Sequence, residues 1–208
     1  MKVIAHGAGH REGLVRRGIL LSYATIAYNS LEAAGSLIAG IIAGSVALVG
    51  FGFDSIIEVT ASLAAQWRLR SDLEVDRRER AELLTMRIVG ACFICLAIYI
   101  LFDAGTTLWQ ARAPDRSPFG IAILALSVVV MPILASNKKS VARGLASGAL
   151  AAEAKQTSLC AYLSVIGLVG VGLNASIGWW WADPVAALIM VPIIAQEGVE
   201  GLRARECC

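Results

Sequence analysis

The chain is short of charge. Only 16% of its 208 residues are Asp, Glu, Lys or Arg, against about 25% in an average soluble protein. So few polar groups cannot cover a soluble surface of this size. That excludes a disordered chain and a nucleic-acid-binding module, and it argues against a soluble enzyme. No quinone or nucleotide motif is present. The five Cys are an odd number, which argues against a disulfide framework. The first seventeen residues, MKVIAHGAGHREGLVRR, are too polar for a signal-peptide core and precede no small-residue cleavage site. What fills the space left by charge is 57% hydrophobic residues and a mean hydropathy of +0.69. This is the composition of a membrane protein.

Six stretches approach the roughly 20 mostly apolar residues that a membrane-crossing helix needs: Gly18–Ala43, Ser45–Trp67, Leu84–Trp109, Phe119–Ala135, Gly148–Asn174 and Pro184–Val199. Runs such as ILALSVVVMPILA do not alternate apolar with polar, as barrel strands must. The expectation is an all-α integral membrane protein, a six-helix bundle. It comprises a cytoplasmic N-terminal arm (1–17), a transmembrane domain (18–200) and a short cytoplasmic tail (201–208). Of the 18 cationic residues, all but Arg112 and Arg116 fall on one side of this layout. The positive-inside rule then places both termini in the cytoplasm, for a multi-pass protein of the bacterial inner membrane. Lys138, Lys139 and Arg143 are counted among the inner loop charges. Trp109 and Trp179 to Trp181 suit an outer interfacial belt. The mixed-charge stretch SDLEVDRRERAE reads as a solvated extension of the second or third helix.

Charged side chains at bilayer depth cost several kcal/mol, so they face the bundle interior and mark function by default. Asn29 and Glu32 share a face of the first helix. Asp54 and Glu58, four residues apart, share a face of the second. Gln156 and Cys160 repeat that spacing on the fifth. Helices 2 and 5 run in opposite directions, so side-by-side packing would set Asp54 level with Cys160 and Glu58 level with Gln156. The result is a four-cornered O, O, O, S site, matched to an ion of tetrahedral preference. The bland alternative is an interhelical hydrogen-bond network. Two adjacent buried acids, however, repel and call for a cation or a proton. Glu32 would complete the coordination or relay protons, or else pair structurally with Lys155. Asp103 would face outer water or pair with Arg112.

The stretch GSVALVGFGFDSIIEVTASL resembles the second helix of the cation diffusion facilitator (cation efflux) transporters, with their Gly-Ser step and DxxxD-type metal pair. ALAAEAKQTSLCAYLSV is similar to the start of their fifth helix, and WWWADPVAALIMVPII to their sixth, which opens on Asp-Pro. The resemblance covers all six spans. It implies a transporter, not an enzyme. It also implies that a divalent cation is exchanged for protons through metal ligands at Asp54, Glu58, Gln156 and Cys160, with the transported ion in place of a cofactor and a homodimer in the lipid bilayer. Gln156 and Cys160 stand where the family usually has His and Asp. A thiolate favours zinc, cadmium or softer ions over magnesium or manganese. The family usually carries a cytoplasmic C-terminal domain, and the expectation here is a chain without it.

Cys92 and Cys95 have the two-residue gap of zinc and redox sites, but within an apolar helix they read as packing. Two other functions follow if the main reading fails: a thiol redox protein using Cys92 and Cys95, or a membrane sensor that binds metal without moving it. Cys207 and Cys208 would be cytoplasmic, and His6 and His10 would lie in a disordered arm. Gly40 with Gly44, and Gly144 with Gly148 at the start of the fifth helix, form GxxxG steps for close contact. Pro132 and Pro192 are expected to kink helices 4 and 6.

Overall fold

The structure, a computed structural model, describes residues 2–70, 75–145 and 148–203. These form six helices: α1 (Lys2–Ala43), α2 (Val46–Arg70), α3 (Val75–Trp109), α4 (Pro118–Leu145), α5 (Gly148–Ile177) and α6 (Ala182–Leu202). Each contains a segment long and apolar enough to cross a membrane. In lipid no water can satisfy an open backbone, so helices that bond internally are the expected solution. Helix α1 runs without a break through the expected arm, so residues 2–17 extend it rather than forming a disordered segment. The side chains of His6 and His10, and the pair Cys207 and Cys208, lie outside the described residues. From Val75 onward the mixed-charge stretch forms the start of α3. Pro132 and Pro192 sit inside α4 and α6 without ending them.

The surface is apolar and the interior is polar at chosen points. Leu31, Ile42 and Phe102 are more than two-thirds exposed, whereas Asn29, Ser55, Glu58, Lys138 and Thr157 are fully buried or nearly so. That inversion is what a lipid solvent asks for. Helix α2 holds the centre and packs against α1, α3, α5 and α6, while α4 closes against α1 and α5. The apolar core includes Leu48, Phe51, Ile100, Leu124, Met131 and Met190.

Among the described residues, the turns joining α1 to α2, α3 to α4 and α5 to α6 lie at one end. Gly44 ends α1 with φ +64, a left-handed conformation that glycine adopts without a Cβ penalty. The next residue, Ser45, caps α2, accepting the Leu48 N–H at 3.2 Å. The Ser45 hydroxyl in turn donates to Asp183 Oδ1, and the Val46 N–H donates to Asp183 Oδ2 at 2.9 Å. The Gly-Ser step and the Asp-Pro start of α6 therefore meet in one buried clamp. Ser117 caps α4 ahead of Pro118, accepting from the Gly120 N–H. Asn174 Nδ2 donates to the Pro114 carbonyl at 3.0 Å, tying α5 to the longest of these turns. Trp179 and Trp181 stack at a centroid distance of 5.1 Å, and Trp109 is 91% exposed, as an interfacial belt requires.

Close helix contact comes from glycine. A Cβ on Gly40 would stand 2.8 Å from the Val49 backbone nitrogen, so α1 and α2 meet there backbone to backbone. Gly144 belongs to α4 rather than to the fifth helix. A Cβ on Gly90 would meet Gly198 O and Leu202 N at 2.8 Å, so α3 and α6 also approach closely, whereas Gly44 has no neighbour within 4 Å and Gly144 meets only the Leu14 side chain.

Candidate metal site

Helices α1, α2 and α5 bring Asn29, Glu32, Asp54, Glu58 and Cys160 into one buried region. Ser55 Oγ donates to Glu32 Oε2 at 2.8 Å, and Cys160 Sγ stands 3.7 Å from the same oxygen. Glu32 thus joins α1 to both α2 and α5. Asp54 and Cys160 lie within electrostatic reach of Glu32 and Glu58, and Asn29 lies beside Glu58. Among the described residues, no three His, Cys, Asp or Glu side chains already stand clustered as a metal shell.

Several atoms in this region have no protein partner: Asn29 Oδ1 and Nδ2, Glu32 Oε1, Glu58 Oε2 and, one turn outward on α1, Ser36 Oγ. Buried polar atoms are nearly always hydrogen-bonded, and leaving one unpaired costs about 1–3 kcal/mol. Three unpaired oxygens on acid and amide side chains in one region form an acceptor set short of something positive.

The fifth helix presents a different face from the one expected. Besides Asn174 near its far end, its buried polar positions among the described residues are Glu153, Thr157, Cys160 and Ser164, the i, i+4, i+7 rhythm of one helical stripe. Gln156 is half-buried beside that stripe, and among the described residues no hydrogen bond joins it to Asp54, Glu58 or Cys160. Thr157 meets Glu58 instead, with its Oγ1 2.6 Å from Glu58 Oε1. The spacing of Glu153, Thr157 and Cys160 carries the signal of this stripe, which the Gln156/Cys160 pair one position away obscures.

Lys138 departs furthest from expectation. It is no loop charge: it is wholly buried on α4, its Nζ 2.9 Å from Glu153 Oε1 and 3.0 Å from Thr157 Oγ1. Ser62 Oγ donates to Glu153 Oε1 at 3.0 Å and Ser22 Oγ to Glu153 Oε2 at 3.1 Å. Four helices are joined at this centre, and only the Thr157 hydroxyl separates it from Glu58.

Other expected pairings resolve differently. Lys155 does not pair with Glu32; it bridges to Glu197 at 3.0 Å and to Glu200, both on α6. Asp103 accepts from Tyr99 OH at 3.2 Å, while Arg112 donates to Thr106 Oγ1 at 3.3 Å rather than to Asp103. Cys92 and Cys95 are exposed on α3 and free rather than packed inside. With Asp103 and Arg112 they line a largely apolar cavity of about 1140 Å³.

Comparison with known proteins agrees with this architecture. Residues 22–204 match the cation efflux transmembrane domain. The chain is 25% identical over 167 residues to the magnetosome protein MamB of Magnetospira sp. (strain QH-2), covering 77% of this chain and 57% of that protein. It is 26% identical over 185 residues to the manganese efflux system protein MneS of Bacillus subtilis (strain 168), covering 86% and 62%. A cadmium, cobalt and zinc/H(+)-K(+) antiporter of the same organism is 27% identical over 209 residues, covering 92% and 62%. The chain spans roughly half to three-fifths of the length of the curated relatives it matches. Six apolar spans and bacterial relatives make it a multi-pass integral protein of the bacterial inner membrane. With the domain matched from the first helix through the sixth, the chain belongs to the cation efflux family.

Proposed function

We propose that the chain carries a divalent transition-metal cation, zinc or cadmium, out of the cytoplasm in exchange for protons. It acts as a carrier rather than an enzyme. Residues 18–200 are the transport unit, with both ends of the chain cytoplasmic. Asp54, Glu58, Glu32 and Cys160 supply the ligands. Asn29 adds a carbonyl oxygen, and Gln156 stands at the margin as an orienting group. The observation that carries this reading is the set of unpartnered buried oxygens, Asn29 Oδ1, Glu32 Oε1 and Glu58 Oε2, gathered where Asp54 and Cys160 also lie. A cation would satisfy all of them at once. The ligand side chains stand apart rather than in one shell, so binding would rotate them inward and pull α1, α2 and α5 together.

Carboxylates and thiols ligate metal only when deprotonated, so capture releases protons and a proton gradient can drive release. Midplane sites of this kind change their access by rocking of helix bundles. The transporter is expected to work as a homodimer. The activities for which the relatives are named, manganese efflux and cadmium, cobalt and zinc antiport, support a transition-metal cargo, and the Cys160 sulfur favours its softer members.

Calorimetric titration of the full chain in detergent with zinc, cadmium and manganese tests the ligand set. Asp54→Ala should weaken zinc binding by roughly 100-fold, taking apparent four-ligand zinc affinities of about 10–16 kcal/mol as shared among the ligands. Cys160→Ser should weaken cadmium more than manganese. Zinc binding unchanged by Asp54→Ala would overturn the assignment.

A further inference from the structure

Among the described residues, and apart from Asp183 in the clamp at the start of α6, four buried carboxyl groups, Glu32, Asp54, Glu58 and Glu153, share the interior with one buried ammonium, Lys138. The Lys138 ammonium has two close partners. Glu153 Oε1 stands at 2.9 Å and Thr157 Oγ1 at 3.0 Å. Glu153 in turn has its other oxygen held by Ser22. Thr157 faces two ways, toward the ammonium and toward Glu58 Oε1 at 2.6 Å. Glu58 therefore has one oxygen linked through a single hydroxyl to a fixed positive charge and the other without a partner.

We propose that Lys138 is a tethered counter-cation of the metal site: held by Glu153 and Thr157, its charge sets how strongly the Asp54–Glu58 pair takes a divalent cation. Lys138 and Glu153 are positioning residues, since neither reaches the proposed ligands except through Thr157. The inference rests on the metal-site reading above and adds its regulation by a built-in charge. Glu153 offsets part of the Lys138 charge that an incoming ion would meet. Take away Glu153's charge and the ammonium is left unneutralised next to Thr157, repelling the ion or swinging onto Glu58 in its place. Take away Lys138's charge and Glu153 becomes a further negative group near the site.

Opposite signs follow for two single substitutions at one contact. Zinc affinity of the full chain, measured by calorimetry in detergent, should rise about tenfold in Lys138→Met. It should fall about tenfold in Glu153→Gln, as expected for a full charge acting on a divalent ion across one side-chain layer. Lys138→Arg should match the wild type, and the double variant Lys138→Met/Glu153→Gln should return close to it. A merely structural ion pair predicts something else: both single variants lose affinity and thermal stability together, and the double variant does not recover. Shifts of the same sign in the two single variants, or a difference of less than twofold between them, overturn the proposal while leaving the metal site intact. If the wild type takes up no zinc and Asp54→Ala changes nothing, the metal-site reading fails and the counter-cation role falls with it.

Discussion

Replacing Glu58 by Gln separates a metal ligand from a packing residue, because the two roles predict opposite effects on stability. Glu58 is 1% exposed. Its Oε1 lies 2.6 Å from the Thr157 hydroxyl, and its Oε2 has no partner. Beside it, Asn29 has both its amide oxygen and its amide nitrogen unpartnered. The substitution Glu58→Gln keeps the shape and the acceptor facing Thr157. It replaces the unpaired oxygen with an NH2 group able to donate to Asn29 Oδ1. In metal-free protein this removes one buried charge and satisfies two orphaned atoms, each costing about 1–3 kcal/mol when unpaired. The variant should therefore be more stable than the wild type by about 1–2 kcal/mol, a rise in Tm of roughly 2–8 °C for a chain of this size. Zinc affinity should fall by roughly 100-fold, one ligand's share of a four-ligand site. Thermal unfolding in detergent, followed by circular dichroism with chelator and then with excess zinc, reads both effects. Wild type should gain stability from zinc by mass action, and Glu58→Gln should gain little. A variant that melts below the wild type without metal yet keeps its zinc-dependent rise would refute the reasoning and make Glu58 a structural residue.

Three other substitutions probe the clamp, the helix contacts and the α3 thiols. Asp183→Ala strips the acceptor from Ser45 and from the buried Val46 N–H at the start of α2. It should cost about 2–4 kcal/mol by loss of charge-assisted bonds at a helix N-terminus, seen as a lower Tm with or without zinc. Gly90→Val places side-chain atoms where a Cβ alone already meets Gly198 O at 2.8 Å. It should destabilise by at least about 1–3 kcal/mol, the usual cost of overpacking, and protease sensitivity of the α3–α6 pair would reveal it. Cys92→Ser and Cys95→Ser alter exposed thiols beside the apolar cavity, away from the proposed ligands, and should leave zinc binding within twofold; loss of binding in either would bring the α3 thiols into the function.

The spans were legible because lipid makes the same demand along a whole helix, and one long apolar run answers it. Asp54, Glu58, Glu32 and Cys160 could be picked out for a related reason: a charge or thiol on an apolar helix stands out against its neighbours. Lys138 was misplaced because Lys139 and Arg143, close by in sequence, lie on the exposed side of the same helix. Hydropathy cannot tell a lysine on the exposed side of a helix from one that turns inward. Gln156 stands out in the sequence for its spacing to Cys160. Which of two adjacent positions faces the core is decided by about 100° of helix rotation, and that rotation is fixed by packing on α2 and α4. The Ser45–Asp183 clamp joins residues far apart in sequence, so only the fold brings its two halves together.

Flux across a sealed bilayer reads transport through the Asp54–Glu58 region without an intermediate step. The full chain would be reconstituted into vesicles loaded with a zinc-sensitive dye and held under an outward proton gradient. External zinc or cadmium should then enter, with proton release from the lumen, and Asp54→Ala should abolish both movements while the protein stays folded. Vesicles that pass none of zinc, cadmium, cobalt, iron or mercury, or that pass zinc equally well with Asp54→Ala, would contradict the account.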